Sequence, residues 1–370
     1  MRLPFFYGWV IVAVAFVTTG VGVNARTAFS LLFPPILKEF GWERGVIAGA
    51  FSFGFLVSAL LSPTLGWLMD RRGLAVSLAF AGVGLGSIVL LPWMQFFMDR
   101  HGWRTACWTL GLLLLLVLAP LVLLLRRRPD EMGLQPDGDA QPAAGAAARP
   151  AANIVDPAWA ATDWTLARAL RTARFWWIAC AFFCAGFAWY SVQVHQTKYL
   201  VEIGFQAADA AWALGWVALI AVPGQIALGH LSDRIGREWS WSVGCLGFVV
   251  CYLVLIALRH TPSMPLLFLM VIAQGFLGYG LTSVMGAIVL EIFQGRRYAT
   301  IFGTVMIGLM AGSALGPWLT GLMHDLSDSY ALAFWISTGL SGLSIVAIWL
   351  AAPRKVRLVA GRVERLAKAH

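Results

Sequence analysis

The sequence predicts an all-α polytopic membrane protein, two helical bundles with about 10 transmembrane helices split four and six. Three observations carry this. Hydrophobic residues form 59% of the 370 and charged ones only 12%, with mean hydropathy +0.76, whereas soluble domains carry about 25% charge. Ten apolar stretches approach the roughly 20 residues that cross a bilayer. A loop motif, Gly66-Trp67-Leu68-Met69-Asp70-Arg71-Arg72-Gly73, returns as Gly229-His230-Leu231-Ser232-Asp233-Arg234-Ile235-Gly236-Arg237, each time at the polar end of an apolar run.

Taken in order, the stretches are Phe5–Phe33, Gly45–Met69, Leu74–Met98, Thr105–Leu125, Phe175–Leu200, Ala208–Leu231, Ser240–Leu258, Pro265–Phe293, Ala299–Met323 and Tyr330–Ala352. The first is too long for a signal-peptide core, so it reads as a retained span. Many of the 18 Trp lie near span ends and suit an interfacial belt. Between the fourth and fifth stretches the chain turns hydrophilic, opening with Arg126-Arg127-Arg128-Pro129 and passing through an Ala/Pro/Gly-rich run at 141–152 that cannot fold alone. The end of this linker, from Asp163 to Arg171, fits a short interfacial helix with Asp163 as N-cap and Trp164 toward apolar surroundings. The expected units are 1–126, a four-span bundle; 127–173, a cytoplasmic linker; 174–353, a six-span bundle; and 354–370, a basic tail.

Alternating sides from a cytoplasmic start places 20 of the 27 Lys and Arg on that side, 6 on the other, and Arg26 within a span. That asymmetry predicts an inner-membrane protein with both termini cytoplasmic. It also assigns the net charge of +9 to topology instead of nucleic acid; the basic tail reads as an anchor that can touch anionic headgroups. Cys107, Cys180, Cys184, Cys245 and Cys251 sit in apolar stretches without a CxxC pair and read as structural thiols. No nucleotide-binding loop, zinc-protease helix or nucleophile elbow occurs, so neither an enzyme nor a cofactor is expected.

The repeat has two registers. Gly41, Gly66 and Asp70 precede Gly204, Gly229 and Asp233 by 163 residues, as Glu39 precedes Glu202. Arg71-Arg72, Pro92-Trp93 and Met98 precede Arg296-Arg297, Pro317-Trp318 and Met323 by 225. The difference, 62 residues, amounts to two spans with their loops. It suggests that the third and fourth helices of a six-helix half are missing, the junction lying in 70–75; an ancestrally unequal architecture is the alternative. Tandem helical repeats around a central path are a common plan of secondary transporters.

The repeated loop resembles the signature Gly-x-Leu-x-Asp-Arg-x-Gly-Arg of the major facilitator superfamily. Gly229, Leu231, Asp233, Arg234, Gly236 and Arg237 match it throughout; Gly66, Leu68, Asp70, Arg71 and Gly73 match until Leu74 replaces the final basic residue. Tyr7-Gly8-Trp9, the run Phe33-Pro34-Pro35 through Gly41-Trp42, and Arg128-Pro129-Asp130-Glu131 through Gly138 resemble the bacterial monocarboxylate-porter and oxalate–formate-antiporter branch. The resemblance implies alternating-access transport of a small mono- or dicarboxylate, coupled to protons or exchange. Its members normally have twelve spans.

Gly66, Asp70, Arg71, Gly73, Gly229, Asp233, Arg234, Gly236 and Arg237 then form a conformational latch, or else topology anchors around tight turns. Arg26 is the one Lys or Arg well inside an apolar stretch. There it either holds a substrate carboxylate or snorkels to the surface. His195, Gln193 and Lys198 close the fifth stretch as proton, polar and anion-attracting candidates, with solvation near the outer surface as the plain alternative. Gln225 and Gln274 either line a cavity or bond neighbouring helices. The expected partners are a small organic anion and the lipid bilayer, and a monomer suffices. A non-transporting remnant or interaction protein, and proton-driven efflux of hydrophobic compounds, are the rival functions.

Overall fold

The computed structural model describes residues 27–69, 81–123 and 153–359, with Val14, Val17, Thr18 and Gly361. Arg26, Asp70, Arg71 and Gly73 lie outside the described residues, as do most of the Phe5–Phe33 stretch and the tail beyond Gly361. The longer helices are α1 Phe29–Phe40, α2 Arg44–Met69 and α3 Ala81–Leu123, then, after two short linker helices, α4 Pro157–Ala160 and α5 Leu166–Leu170, α6 Ala173–Glu202, α7 Ala207–Ile235, α8 Arg237–Leu258, α9 Met264–Ile272, α10 Thr282–Ile292, α11 Tyr298–Ser327 and α12 Ala331–Ala351. Among the described residues, seven helical stretches are long and apolar enough to cross a membrane: Trp93–Leu121, Ala173–Glu202, Ala207–Ile235, Arg237–Leu258, Met264–Ile292, Tyr298–Ser327 and Ala331–Lys355. A shorter apolar helix, Arg44–Leu60, joins them. The chain is a multi-pass α-helical membrane protein.

Chain reversals follow the glycines of the repeat. α1 stops at Gly41, whose φ of 62° is left-handed, and its counterpart Gly204 has φ 107° just beyond α6. Both backbones need a residue without Cβ, so the correspondence across 163 residues is conformational as well as textual. Gly102, φ 78°, breaks α3 between the expected stretches Leu74–Met98 and Thr105–Leu125.

Packing is close because small residues stand where backbones meet. A Cβ on Gly308 would lie 2.5 Å from the Ala179 carbonyl oxygen and one on Gly316 2.5 Å from that of Phe187, while Gly312 abuts Phe183. This stripe seats α11 on α6, and α2 packs along another side of α11. Without a hydrophobic force between helices in lipid, such contact and interhelical hydrogen bonds do the holding. One buried cluster lies within residues 164–356, and two smaller ones bridge the halves. In these, Ala28, Leu31, Met94, Ala106 and Leu110 meet Ala211 and Leu214, and Phe33, Ile47 and Ala48 meet Val194.

The span Met264–Ile292 is irregular in its middle. A π-turn at Ala273–Leu277 runs into a 3₁₀ turn at Gly278–Leu281, with Gly275 against the Val217 carbonyl of α7 and Gly247 of α8 against Ala273. Wide turns of this kind re-aim side chains, here Gln274.

The linker end docks on the bundle. Asp156 caps α4 by accepting from the Trp159 N–H (3.0 Å). The cap expected of Asp163 is made instead by Thr165, two residues on, whose hydroxyl accepts from the Arg168 N–H. Asp163 contributes its carbonyl, which accepts from the Arg168 guanidinium (2.9 Å). Trp164 is 6% exposed and packs against Trp159 and Phe293. Ile154 and Arg357 form an antiparallel bridge that ties the linker to the segment after α12.

Candidate functional site

The two halves are joined at one end by a polar clasp. Arg44 opens α2, and its guanidinium donates to both Glu202 oxygens (3.0 and 2.5 Å) at the end of α6, and to the Tyr330 hydroxyl (2.7 Å). Side chains are 16% and 30% exposed for this ion pair, and Lys198 adds a second cation 3.4 Å from Glu202. Asp325, near the end of α11, accepts from the backbone amides of Arg44 (3.1 Å) and Gly45 (2.7 Å). A carboxylate on the first amides of a helix satisfies donors that have no partner within the helix and meets the positive end of its dipole. Glycines let the elements close: a Cβ on Gly321 would lie 2.8 Å from the Arg44 carbonyl carbon, and one on Gly45 3.2 Å from Asp325 Oδ2.

The equivalent glutamate holds the first half internally. Glu39 accepts from the Trp103 indole and from Arg104, both beyond the Gly102 break. Those bonds hold its carboxyl below the ordinary carboxylate range. Both glutamates of the repeat therefore hold an arginine, one within a half and one between halves.

His195 lies beneath the clasp and is fully buried. Nδ1 faces the Tyr330 hydroxyl (3.2 Å) and Nε2 the Pro317 carbonyl (2.9 Å), with Phe33 edge-on at 5.1 Å. A carbonyl accepts only, so Nε2 carries the proton and Nδ1 accepts from Tyr330 in the neutral ring. The alternative of solvation near the outer surface does not hold for His195. Lys198 is partly exposed and engaged with Glu202.

Deeper between the halves, Gln193 donates to Thr27 (2.9 Å), and Ser30 bonds Thr197 (2.8 Å) and the Val194 carbonyl (3.2 Å). Thr27 immediately follows Arg26 in the chain. Phe51 and Phe55 of α2 meet Tyr190 of α6, with centroids 6.3 and 4.4 Å apart, and Trp189 stacks on Tyr279 at 4.1 Å. Gln274 donates to the Tyr279 hydroxyl (3.4 Å), while its carbonyl oxygen is buried and unpaired. Gln225 is half-buried on α7, apart from these contacts. Polar side chains thus line an aromatic-walled seam between the halves.

The described copy of the loop motif closes the other end of α7. Gly236, φ 117°, makes the turn into α8. Arg237 then reaches Asp233 (2.7 Å), Glu291 at the end of α10 (2.7 Å) and the Ser232 hydroxyl (2.7 Å). Gly229 lets α7 approach Ser283 of α10, and Arg234 is exposed. Of the first copy, Gly66 to Met69 are described and end α2, while Asp70, Arg71 and Gly73 lie outside the described residues.

Sequence reasoning passed over Arg44, Asp325 and Tyr330, and used Glu202 only as a repeat marker. The available signal was the pairing of Glu39 with Glu202, each followed two residues later by a glycine.

Comparison with known proteins places this geometry. The family model described as Major Facilitator Superfamily matches residues 70–283 and 197–368. Monocarboxylate transporter 13 of Bos taurus is 26% identical over 333 residues, 87% of this chain and 69% of that one. Monocarboxylate transporter 13 of Rattus norvegicus is 25% identical, over 75% of this chain and 60% of its own. The chain therefore spans about two thirds of the length of these relatives. Among solved structures, a D-xylose-proton symporter superposes with TM-score 0.63 at 13% identity, covering 95% of this chain and 99% of that one. That likeness concerns the fold.

Proposed function

The chain belongs to the Major Facilitator Superfamily, and on that premise we propose that it is a secondary transporter of a small organic anion, a mono- or dicarboxylate. Transport proceeds by alternating access, coupled to a proton or to exchange, and no enzymatic step is involved. The observation that carries the reading is the clasp: first-half donors on Arg44 and Gly45 are held by second-half Glu202 and Asp325 through bonds that water can replace. A closure made of ion pairs over glycine contacts, with only two small apolar clusters bridging the halves, opens while the main apolar core stays intact. The charge distribution supports cytoplasmic termini in an inner membrane, and in that orientation the clasp closes the outer side and the Arg237 network lies inside.

Arg26 is the proposed carboxylate ligand, because a guanidinium placed in an apolar span is costly unless it serves a water-filled path. Gln193, Gln225 and Gln274 are proposed polar contacts for the substrate, Gln193 standing where the halves meet. His195 is proposed as the proton partner, linked through Tyr330 to the clasp, and Lys198 as an electrostatic guide at the entrance. The motif residues Gly66, Asp70, Arg71, Gly73, Gly229, Asp233, Arg234, Gly236 and Arg237 are proposed as the inner latch. The relatives' names support the monocarboxylate class.

The jump in repeat register favours one other reading, a remnant that has lost a helix pair and no longer transports. Uptake of labelled mono- and dicarboxylates into proteoliposomes, with and without an imposed pH gradient, separates the two. Saturable uptake abolished by Arg26→Ala supports the transporter. Uptake absent from the natural chain, yet gained when two helices are inserted at the 70–75 junction, establishes the remnant.

A further inference from the structure

The linker and the segment after α12 build a basic cleft that the transport path does not use. Main-chain bonds fix its walls: the Val155 amide donates to the Val356 carbonyl (2.9 Å) and the Leu358 amide to the Asn153 carbonyl (2.7 Å). The resulting cleft, about 580 Å³, is open on one side and lined by Val155, Asp156, Pro157, Arg174, Arg354, Lys355 and Leu358. Three cations face one acid, and that acid already serves as the α4 cap. Arg174 lies over the Trp159 ring, 4.2 Å from its centroid, with a buried Nη1 that has no hydrogen-bond partner. Beside the cleft, Arg357 Nε is likewise buried and unpartnered. An anion in the cleft meets three cations and brings acceptors to guanidinium groups that keep unpaired donors within the protein.

Two features choose the class of anion. Val155, Pro157 and Leu358 give the cleft an apolar side, and Val155 is 47% exposed, so the ligand has an apolar part next to its charge. Trp176 and Trp177, just past Arg174 on α6, are 59% and 37% exposed and mark the depth where tryptophans meet lipid headgroups. We propose that this cleft is a binding site for the headgroup of an anionic phospholipid, which ties the linker, α6 and the tail together at the membrane surface. Basic pockets at this depth attract such headgroups, each cation near the surface adding to the affinity.

Native mass spectrometry of the detergent-purified full chain, titrated with phosphatidylglycerol or phosphatidylcholine, tests this. The expected result is preferential retention of phosphatidylglycerol, weakened about thirty-fold in Arg174→Gln/Lys355→Gln and largely kept in Arg174→Lys. Lys355 is exposed, so Lys355→Gln alone, expected to weaken retention about five-fold, serves if the double variant does not fold. Equal retention of both lipids, or phosphatidylglycerol binding unchanged in the variants, overturns the proposal. Displacement of the lipid by equimolar inorganic phosphate, with the same loss in the variants, overturns the lipid assignment in favour of a soluble anion site. None of these outcomes depends on whether the chain transports carboxylates.

Discussion

Replacing Arg44 by alanine removes the guanidinium from the clasp and leaves its other half in place. Three hydrogen bonds disappear, two to Glu202 and one to Tyr330, while the backbone bonds to Asp325 remain, since they use main-chain amides. A charge-assisted hydrogen bond contributes about 1.5–3 kcal/mol when sheltered and an exposed ion pair at most about 1. With the pair 16% and 30% exposed and Lys198 still 3.4 Å from Glu202, the net loss to the closed arrangement is about 2 kcal/mol, or roughly thirty-fold in its equilibrium with the open one. Ser30 reports that equilibrium. It is 1% exposed and bonds Thr197, five residues and roughly 7–8 Å below Glu202 along α6. In a chain carrying Ser30→Cys, with the partly exposed Cys107 and Cys180 changed to serine, labelling by an impermeant maleimide from the clasp side should accelerate ten- to thirty-fold on Arg44→Ala. Arg44→Lys should give an intermediate rate. A rate within about twofold of the parent, in protein that elutes as a single species, refutes the clasp as the element holding that side shut.

Three further perturbations probe neighbouring parts of the same scheme. Gly321→Val should also speed Ser30→Cys labelling, because its Cβ meets the Arg44 backbone at 2.8 Å; overpacking of this kind costs about 1–3 kcal/mol, and an unchanged rate counts against a glycine-dependent closure. Glu291→Ala should lower thermal stability in detergent, since it removes the partner of Arg237 Nε and leaves that guanidinium only Asp233 and Ser232; a loss of about 1–2 kcal/mol is expected at this partial burial, and Glu291→Gln should retain part of it. His195→Gln should keep the Pro317 contact with its amide N–H but abolish any pH-gradient stimulation of uptake. Full stimulation in that variant removes His195 as proton partner.

What the sequence revealed and what it concealed divide along physical lines. Periodic and compositional signals are local, so the apolar stretches around Phe175–Leu200 and Tyr330–Ala352 were legible in the sequence, as was the correspondence of Gly41 with Gly204, though not the turns these glycines make. The glycine stripe Gly308, Gly312 and Gly316 likewise belongs to helix packing, as its contacts with Ala179, Phe183 and Phe187 show. Arg44 and Asp325 are 281 residues apart, and nothing in the text of either segment marks them as partners. The burial of His195 was hidden for a related reason. A polar run at the end of an apolar stretch suggests a solvated edge, but Phe33, Pro317 and Tyr330 come from three other segments to cover it. Asp163 lost its expected cap to Thr165 because the short helix starts two residues later than the acidic residue implied.

The carboxylate of Asp325 grips two consecutive peptide N–H groups and no side chain at all. At position 44 its recognition of α2 is therefore indifferent to the side chain, whereas at position 45 the crowding against Asp325 and Leu322 asks for glycine. A saturation screen should find position 325 intolerant, while position 44 forfeits this particular contact chiefly through proline, which has no amide hydrogen to offer. Drift in related sequences would show the same lopsidedness, and methods that look for paired changes would overlook half of the joint.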